Sequence, residues 1–396
     1  MRKVAFAWAV FALCSGVPLY AADQSLILRP QIAKYYQDLN YVAANSTPTE
    51  QMTIVSYISG LNHDDPFLND QRPKSVGGYY SSANTGASWT NPILTGAMTW
   101  TSIASSSDGS HLAASVHSGD IYTSTDSGAT WTDQRAAGSG DWFSIASSSD
   151  GGHLAVCVHG GDIYTSTDGG VTWTDQTAAG LRDWTSIASS SDGSHLAACV
   201  HGGDIYTSTD GGATWTDQRA AGSKYWFSIA SSSDGGYLAA CVDGGDISTS
   251  RNGGATWTDQ TAAGSRYWSS IASSSDGTHL AACCFGGNIH TSTDSGATWT
   301  DQTAAGLRLW SFIASSSDGT DLAACVRGGG IYTSMDGGAT WTDRTAEGVR
   351  NWTSLASSSD DTKGAKTGPH PGTGIRNKIS QSRRDVGQPA SGIRNR

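Results

Sequence analysis

Proline, glutamate and long apolar runs are all scarce in this chain of 396 residues. No proline occurs between Pro92 and Pro369, so nothing in that stretch interrupts a β-sheet, whose ladder proline cannot donate to. The only glutamates are Glu50 and Glu347, which excludes an active site built from several glutamates. Beyond residue 22 no apolar run is long enough to cross a bilayer, so we expect no membrane span.

The first 22 residues have the pattern of a targeting segment. Residues 1–3 include two basic side chains, residues 4–19 are apolar, and Ala21 and Ala22 are small. This order predicts a secretory signal over residues 1–22 and a secreted or extracytoplasmic protein, in a periplasm, a lumen or the extracellular space. Residues 23–75 are predicted to be an N-terminal extension with a short amphipathic helix over residues 30–44.

The net charge of −11 is unevenly distributed. Of the 24 basic and 35 acidic residues, eight and two lie in residues 361–396, so the remainder carries a net charge of −17. A body this acidic argues against a nucleic-acid partner, which needs a basic footprint. Residues 361–396 lack aromatic residues and are rich in Gly, Pro, Ser and basic residues, so we predict a disordered basic tail.

Tryptophan is abundant and periodic. Fourteen of the 15 tryptophans fall on two series with a spacing of 42 residues. One series is Trp89, Trp131, Trp173, Trp215, Trp257, Trp299 and Trp341; the other is Trp100, Trp142, Trp184, Trp226, Trp268, Trp310 and Trp352. A fixed period of this length indicates one supersecondary unit copied several times, each copy burying its apolar face against the next.

Each copy divides into four short runs separated by Gly and Asp turns. In the copy that begins at Trp184 the runs cover 184–190, 195–200, 204–209 and 214–218 and are rich in β-formers. They predict a four-stranded antiparallel meander, the usual blade of a β-propeller. A solenoid is the competing architecture, but it needs atypical capping repeats, whereas this array ends part-way through a unit.

The two ends of the array predict how the ring closes. It opens with a half unit at 79–90 and closes with a partial unit at 352–359. We therefore predict an all-β fold over residues 76–360, a seven-bladed propeller of four-stranded antiparallel blades in which N- and C-terminal strands together complete the seventh blade. Residues 53–59 are the candidate for the second strand of that blade.

The copies share the pattern Ser-x-Asp-x-Gly-x-Thr-Trp between their third and fourth strands, for example from Ser166 to Trp173; Asn replaces the Asp in two copies and Ser88 replaces the Thr in one. The motif resembles the Asp box, or BNR repeat, of the sialidase superfamily, and the longer repeat pattern resembles propellers of the photosystem II assembly and stability factor type. The resemblance implies a propeller fold and a structural turn. The turn acceptors are Asn84, Asp126, Asp168, Asp210, Asn252, Asp294 and Asp336; asparagine keeps an acceptor oxygen.

Cysteine and histidine also follow the repeat. Cys157, Cys199, Cys241, Cys283 and Cys325 occupy one repeat position, so they point the same way and we predict buried free thiols. Histidines recur at two further positions, but side chains spread around a ring do not converge within ligation distance. We therefore predict neither a metal site nor a cofactor.

The sequence favours a binding protein over an enzyme. Sialidases use an arginine triad, a tyrosine activated by glutamate and an aspartate, and the Phe/Tyr-Arg-Ile-Pro segment of that family is absent here. We expect no catalytic residues. We expect a secreted scaffold that is a monomer and binds a protein or another macromolecule, as an assembly factor does. The alternative is a sialidase-like glycoside hydrolase or a glycan-binding lectin.

One set of residues is a candidate ligand site. Basic residues stand two positions before five of the strand-opening tryptophans, at Arg182, Lys224, Arg266, Arg308 and Arg350. With Tyr225, Tyr267 and Glu347 they are expected to ring one mouth of the central channel and to attract an acidic peptide or an anionic glycan. The competing interpretation, that each base only neutralises nearby aspartates, stays open.

Overall fold

The structure is a computed structural model that describes residues 98–344, 350–358 and 365–368. The predicted signal, N-terminal extension and helix, the half unit at 79–90 with Asn84, residues 53–59, Glu347 and most of the basic tail lie outside the described residues. Within the described ranges the strands pair antiparallel, and the helices are single 3-10 turns. The predicted all-β class is confirmed.

Six four-stranded blades follow one another in the described part of the chain. Blades one and two comprise β1 (Trp100–Ser105), β2 (Leu112–Gly119), β3 (Ile121–Ser124), β4 (Thr132–Gln134), β5 (Gly140–Ser147), β6 (Leu154–Gly161), β7 (Ile163–Ser166) and β8 (Thr174–Asp175). Blades three and four comprise β9 (Arg182–Ser189), β10 (Leu196–Gly203), β11 (Ile205–Ser208), β12 (Thr216–Asp217), β13 (Lys224–Ser231), β14 (Leu238–Gly245), β15 (Ile247–Ser250) and β16 (Thr258–Gln260).

Blades five and six repeat the same arrangement. They comprise β17 (Arg266–Ser273), β18 (Leu280–Gly287), β19 (Ile289–Ser292), β20 (Thr300–Gln302), β21 (Arg308–Ser315), β22 (Leu322–Gly329), β23 (Ile331–Ser334) and β24 (Thr342–Asp343). Single-turn 3-10 helices follow the fourth strands of the first five blades, at Arg135–Ala137, Thr177–Ala179, Arg219–Ala221, Thr261–Ala263 and Thr303–Ala305.

The first strand of each later blade begins earlier than the sequence predicts. In blade three it starts at Arg182, two residues before Trp184, because its first residues pair with the second strand of the preceding blade. There Arg182 lies opposite Gly161 and Asp183 opposite His159. Each second strand therefore pairs with strands of its own blade and also with the first strand of the next blade.

The hydrophobic core lies between successive blades. Trp184 and Ile187 of blade three pack with Ala155, Cys157 and Ile163 of blade two in one buried cluster. The first strands of neighbouring blades also contact one another, which places them innermost. Since each blade covers the apolar side of the next, the repeat is stabilised only as an array.

The five repeated cysteines are buried thiols outside any disulfide, as predicted. Burial raises the pKa of Cys199 and of Cys325 to about 12, so both thiols stay protonated at neutral pH. Their Sγ atoms lie 3.4 Å and 3.2 Å from the hydroxyls of Thr185 and Ser311. They pack as small apolar groups rather than as reactive thiols.

Three short strands follow blade six: β25 (Arg350–Asn351), β26 (Ser354–Ser357) and β27 (Ala365–Gly368). Strand β27 lies inside the predicted disordered tail, yet it pairs antiparallel with β26, Ser357 opposite Ala365. The prediction is therefore wrong for these four residues. We assigned the second strand of the seventh blade to residues 53–59, but in the structure β27 occupies that position beside β26. The edge of a strand presents unpaired backbone N–H and C=O groups, so it accepts a partner of almost any composition.

Candidate link-face site

The third-turn motif uses its carboxylate within its own turn. In blade two, Thr172 donates its amide to Oδ1 of Asp168 at 2.8 Å and its hydroxyl to Oδ2 at 2.6 Å, while Ser166 donates its hydroxyl to Oδ1 at 2.8 Å. The Thr172 hydroxyl and amide together lower the pKa of Asp168 to about 2. Trp173 closes the turn by donating Nε1–H to the carbonyl of Gly170 at 2.9 Å.

Asparagine preserves this turn in blade four. Asn252 accepts the Thr256 amide at 2.9 Å, and its Nδ2 donates to the Thr256 hydroxyl at 2.9 Å. The acceptor at this position is thus occupied by its own turn in each complete blade, at Asp126, Asp168, Asp210, Asn252, Asp294 and Asp336. These contacts account for the residue types without any ligand.

The turns separate into two faces. The amide of Gly169 in the third-turn motif donates to the carbonyl of Gly152 in the first turn at 2.9 Å, so both turns lie on one side, which we call the motif face. The second turns and the blade-to-blade links lie on the opposite side, where His201 pairs with Tyr225 and Gly203 with Lys224. We call this side the link face.

The candidate bases lie on the link face, but their side chains extend over the third strand of their own blade. Arg182 donates Nε–H to the carbonyl of Ala179 at 3.1 Å, and its guanidinium carbon lies 4.3 Å from the centre of the Tyr206 ring. Arg308 makes the equivalent contacts with Ala305 at 3.2 Å and Tyr332 at 4.5 Å. Cation–π stacking of this kind holds each guanidinium in place.

Arg266 and Lys224 take the same direction. Arg266 donates Nε–H to the carbonyl of Ala263 at 3.1 Å. Burial first, and then the Arg266 charge, lower the pKa of His290 to about 4. Lys224 forms an ion pair of 2.6 Å with Asp259 and donates to the Ser248 hydroxyl at 3.3 Å.

These contacts correct the expected belt around the channel mouth. The first strands lie innermost, whereas the bases reach outward to third-strand residues and, for Lys224, a fourth-strand aspartate. The basic side chains contact the third strand because it carries an aromatic ring or a hydroxyl beside each link. Arg350 has its backbone on the same face, in β25 opposite Gly329.

The two candidate tyrosines differ. The Tyr225 side chain is 42% exposed and its ring centre lies 5.1 Å from that of His201, whereas Tyr267 is only 5% exposed. Tyr267 stands opposite Asp243 in the blade junction. Only Tyr225 therefore presents a wide aromatic surface to solvent on this face.

A row of variable junction pairs joins successive blades on the link face, and sequence reasoning missed it. In each pair, a residue near the end of one blade's second strand stands opposite the second residue of the following blade's first strand. The pairs are His117 with Asp141, His159 with Asp183, His201 with Tyr225, Asp243 with Tyr267, Phe285 with Leu309 and Arg327 with Asn351. Reading the 42-residue copies against one another shows both columns as variable, but only the register shows that they are partners.

The first of these pairs is an ion-pair contact when the histidine is protonated. Nδ1 of His117 lies 3.8 Å from Oδ1 of Asp141, and the aspartate side chain is largely exposed. Within residues 98–344 and 350–358 no three His, Cys, Asp or Glu side chains are grouped to hold a metal ion. No helix in the described ranges is long and apolar enough to cross a membrane.

Comparison with solved structures shows the propeller fold. The chain matches YCF48 bound to a D1 peptide with a TM-score of 0.52 and 17% identity, covering 65% of this chain and 86% of that one. It matches YCF48 from Cyanidioschyzon merolae with a TM-score of 0.51 and 20% identity, covering 64% and 88%. No protein-family model and no curated protein matches the sequence. The resemblance to photosystem II assembly factor propellers is thereby confirmed for the fold.

Proposed function

We propose that this protein is a non-catalytic seven-bladed propeller scaffold that binds a protein partner through its link face, in the manner of an assembly factor. The observation that carries this proposal is the distribution of sequence variation. The buried residues and the third-turn motif are nearly the same in every copy. The junction pairs on the link face are His with Asp at the first two junctions and differ at each of the four that follow. A scaffold needs constant packing, and recognition of one partner needs residues that differ around the ring.

Packing around β26 supports a ring of seven blades. Ala356 packs with Trp100 and Ile103 of blade one. Trp352 and Leu355 pack in a separate cluster with residues of blade six. The strand thus lies between the first and last complete blades, where a seventh blade belongs.

A solved neighbour supports a protein partner. The YCF48 structure with a TM-score of 0.52 contains a D1 peptide. The arginines and Tyr225 on the link face of this chain belong to residue types that are enriched at protein interfaces.

The test compares partner capture by matched variants. The full chain is used to capture and crosslink proteins from extracts of its native host, as wild type, as an Arg182→Ala/Arg266→Ala/Arg308→Ala variant and as Arg251→Ala. Arg251 is the control, because it lies on the motif face and donates to the carbonyl of Asp294 at 3.2 Å. We expect wild type and Arg251→Ala to retain the same partner and the triple variant to lose it. Equal capture by all three would remove the link-face bases from the proposal.

We also propose that residues 1–22 direct export. The support is the order of basic, apolar and small residues at the start of the chain. Mass spectrometry of the mature protein from its host should show a new N-terminus near residue 23. A chain that keeps residues 1–22 and remains inside the cell contradicts this proposal.

A further inference from the structure

The charge of the link face changes sign around the ring. Four positions of each blade lie on this face: the two residues before the strand-opening tryptophan, the junction residue of the second strand, and the residue directly before the third strand. In blades one to four these positions hold Arg182 and Lys224 against seven aspartates, Asp120, Asp141, Asp162, Asp183, Asp204, Asp243 and Asp246. In blades five and six they hold Arg266, Arg308 and Arg327 and no acidic residue.

The replacements that produce this difference are specific. The residue before the third strand is aspartate in four blades but Asn288 and Gly330 in the last two. The second residue of the first strand is aspartate at 141 and 183 but Leu309 in blade six. One fourth-strand aspartate is present in every blade. Arg135 and Arg219 pair with it in blades one and three, which keep a net negative charge through their other aspartates.

The bases differ in the residues that stand beside them. Lys224 is already paired with Asp259. Asp204 stands directly before the third strand that carries Tyr206, the ring on which Arg182 stacks. Arg308 stacks on Tyr332 as Arg182 stacks on Tyr206, but its neighbours in sequence and across the turn are Leu309 and Gly330.

Apolar side chains surround the basic sector. Phe285 stands opposite Leu309, and both lie in the junction between blades five and six. Leu309 and Tyr267 are buried and Phe285 is half-buried. Fewer water molecules surround a charge beside apolar side chains, so an anion meets a stronger attraction here than at a fully hydrated lysine or arginine.

We propose that the link face binds an extended polypeptide segment of divided charge, with its acidic part over blades five and six and its basic part over blades one and two. This inference rests on the proposed function and names the chemistry of the partner. A uniformly anionic glycan meets the aspartates of blades one to four and is repelled there. A polypeptide carries both signs and satisfies both sectors at once.

The experiment uses three probes and the full chain. Two labelled peptides of about 20 residues, which extend to at most about 70 Å, have one composition: in the first the acidic and basic residues form separate blocks, in the second they alternate. The third probe is a sulfated glycan. At low salt we expect the block peptide to bind at least about tenfold more tightly than the alternating peptide, since opposed charges then meet in register.

Matched variants locate the acidic part. Arg308→Ala/Arg327→Ala should weaken block-peptide binding by roughly tenfold, and Arg182→Ala by no more than about twofold, because Asp183 and Asp204 lie in the same part of the link face. Asp141→Asn changes an exposed group in the opposite sector and should also weaken it. A photoreactive group on the acidic end of the peptide should label blades five and six.

Three results overturn the inference: equal binding of block and alternating peptides, tighter binding of the glycan than of the block peptide, or labelling of blades one and two by the acidic end. If the host partner is still captured in the experiment above, the scaffold function stands and only the divided-charge partner is wrong. If neither the peptides nor a host partner binds, both proposals are wrong.

Discussion

The two faces of this propeller use the same repeat for different purposes. On the motif face each carboxylate is held by the serine and threonine of its own turn, so the residues at 126, 168, 210, 252, 294 and 336 vary only between Asp and Asn. On the link face the junction pairs change from His and Asp to Phe and Leu while the backbone register stays the same. Backbone pairing holds the link face together, and its side chains are therefore free to differ.

The largest expected difference in stability between the two faces is between two glycine substitutions, each at a position with positive φ. In Gly170→Ala on the motif face, φ is +93° and the new Cβ meets Thr123 Cγ2 at 2.8 Å. In Gly202→Ala on the link face, φ is +70° and the nearest atom is Tyr225 Cε1 at 3.5 Å. We expect a loss in the free energy of unfolding of about 3 kcal/mol for the first and about 1 kcal/mol for the second. Urea unfolding of both variants gives the difference; equal losses contradict it.

Removing one carboxylate from each face gives a smaller contrast. Asp168→Ala loses three hydrogen bonds within its turn and is expected to destabilise the fold by about 1–2 kcal/mol. Asp183→Ala removes an exposed link-face carboxylate and should change stability by less than about 0.5 kcal/mol. Thermal unfolding at pH 7 measures both. A larger loss for Asp183→Ala would make the link face a structural element.

Acid should weaken the motif face first. The pKa of Asp168 is lowered to about 2 by its hydrogen bonds with Thr172, and the pKa of Asp276 is lowered to about 2, chiefly by the Ser274 hydroxyl. A depressed folded-state pKa stabilises the fold above the unfolded value near 3.8, and this stabilisation is lost as the pH falls from about 4 to about 2. The melting temperature should fall across that window and fall less in Asp168→Asn. No change below pH 4 would show that these turns do not couple to folding.

A small effect is also expected at the exposed aromatic residue of the link face. Tyr225→Ser removes a side chain that is 42% exposed and contacts His201, so stability should change by no more than about 0.5–1 kcal/mol. Partner capture by the same variant should decrease if the link face is the binding surface. A stable variant with unchanged capture would limit the binding surface to the charged residues.

Sequence periodicity predicted the blades because each strand must bury the same apolar side in every copy. The positions of Trp184, Ile187 and Cys199 follow from that rule, and the structure places all three in the core. Arg182 was predicted less well. The sequence placed Arg182 in the link between two blades, but the direction of its side chain depends on Tyr206, 24 residues later in the chain. The Tyr206 ring becomes a neighbour of Arg182 only after the meander has folded back.

The junction pairs show the same limit. His159 and Asp183 belong to different copies of the repeat, and their separation along the chain carries no sign of contact. The strand β27 is a second example, since its composition is typical of disorder and only the open edge of β26 explains its pairing. In both cases the deciding partner is distant in sequence, where neither composition nor propensity can identify it.

By itself the sequence determined the repeat, the sheet class, the buried thiols and the structural turns, because all of these depend on contacts within one copy or on a period shared by all copies. Only the tertiary structure decided which residues meet between blades, where the bases point and how charge is arranged across the link face. Those features depend on hydrogen-bond register between separate blades, which forms only when the copies are assembled side by side.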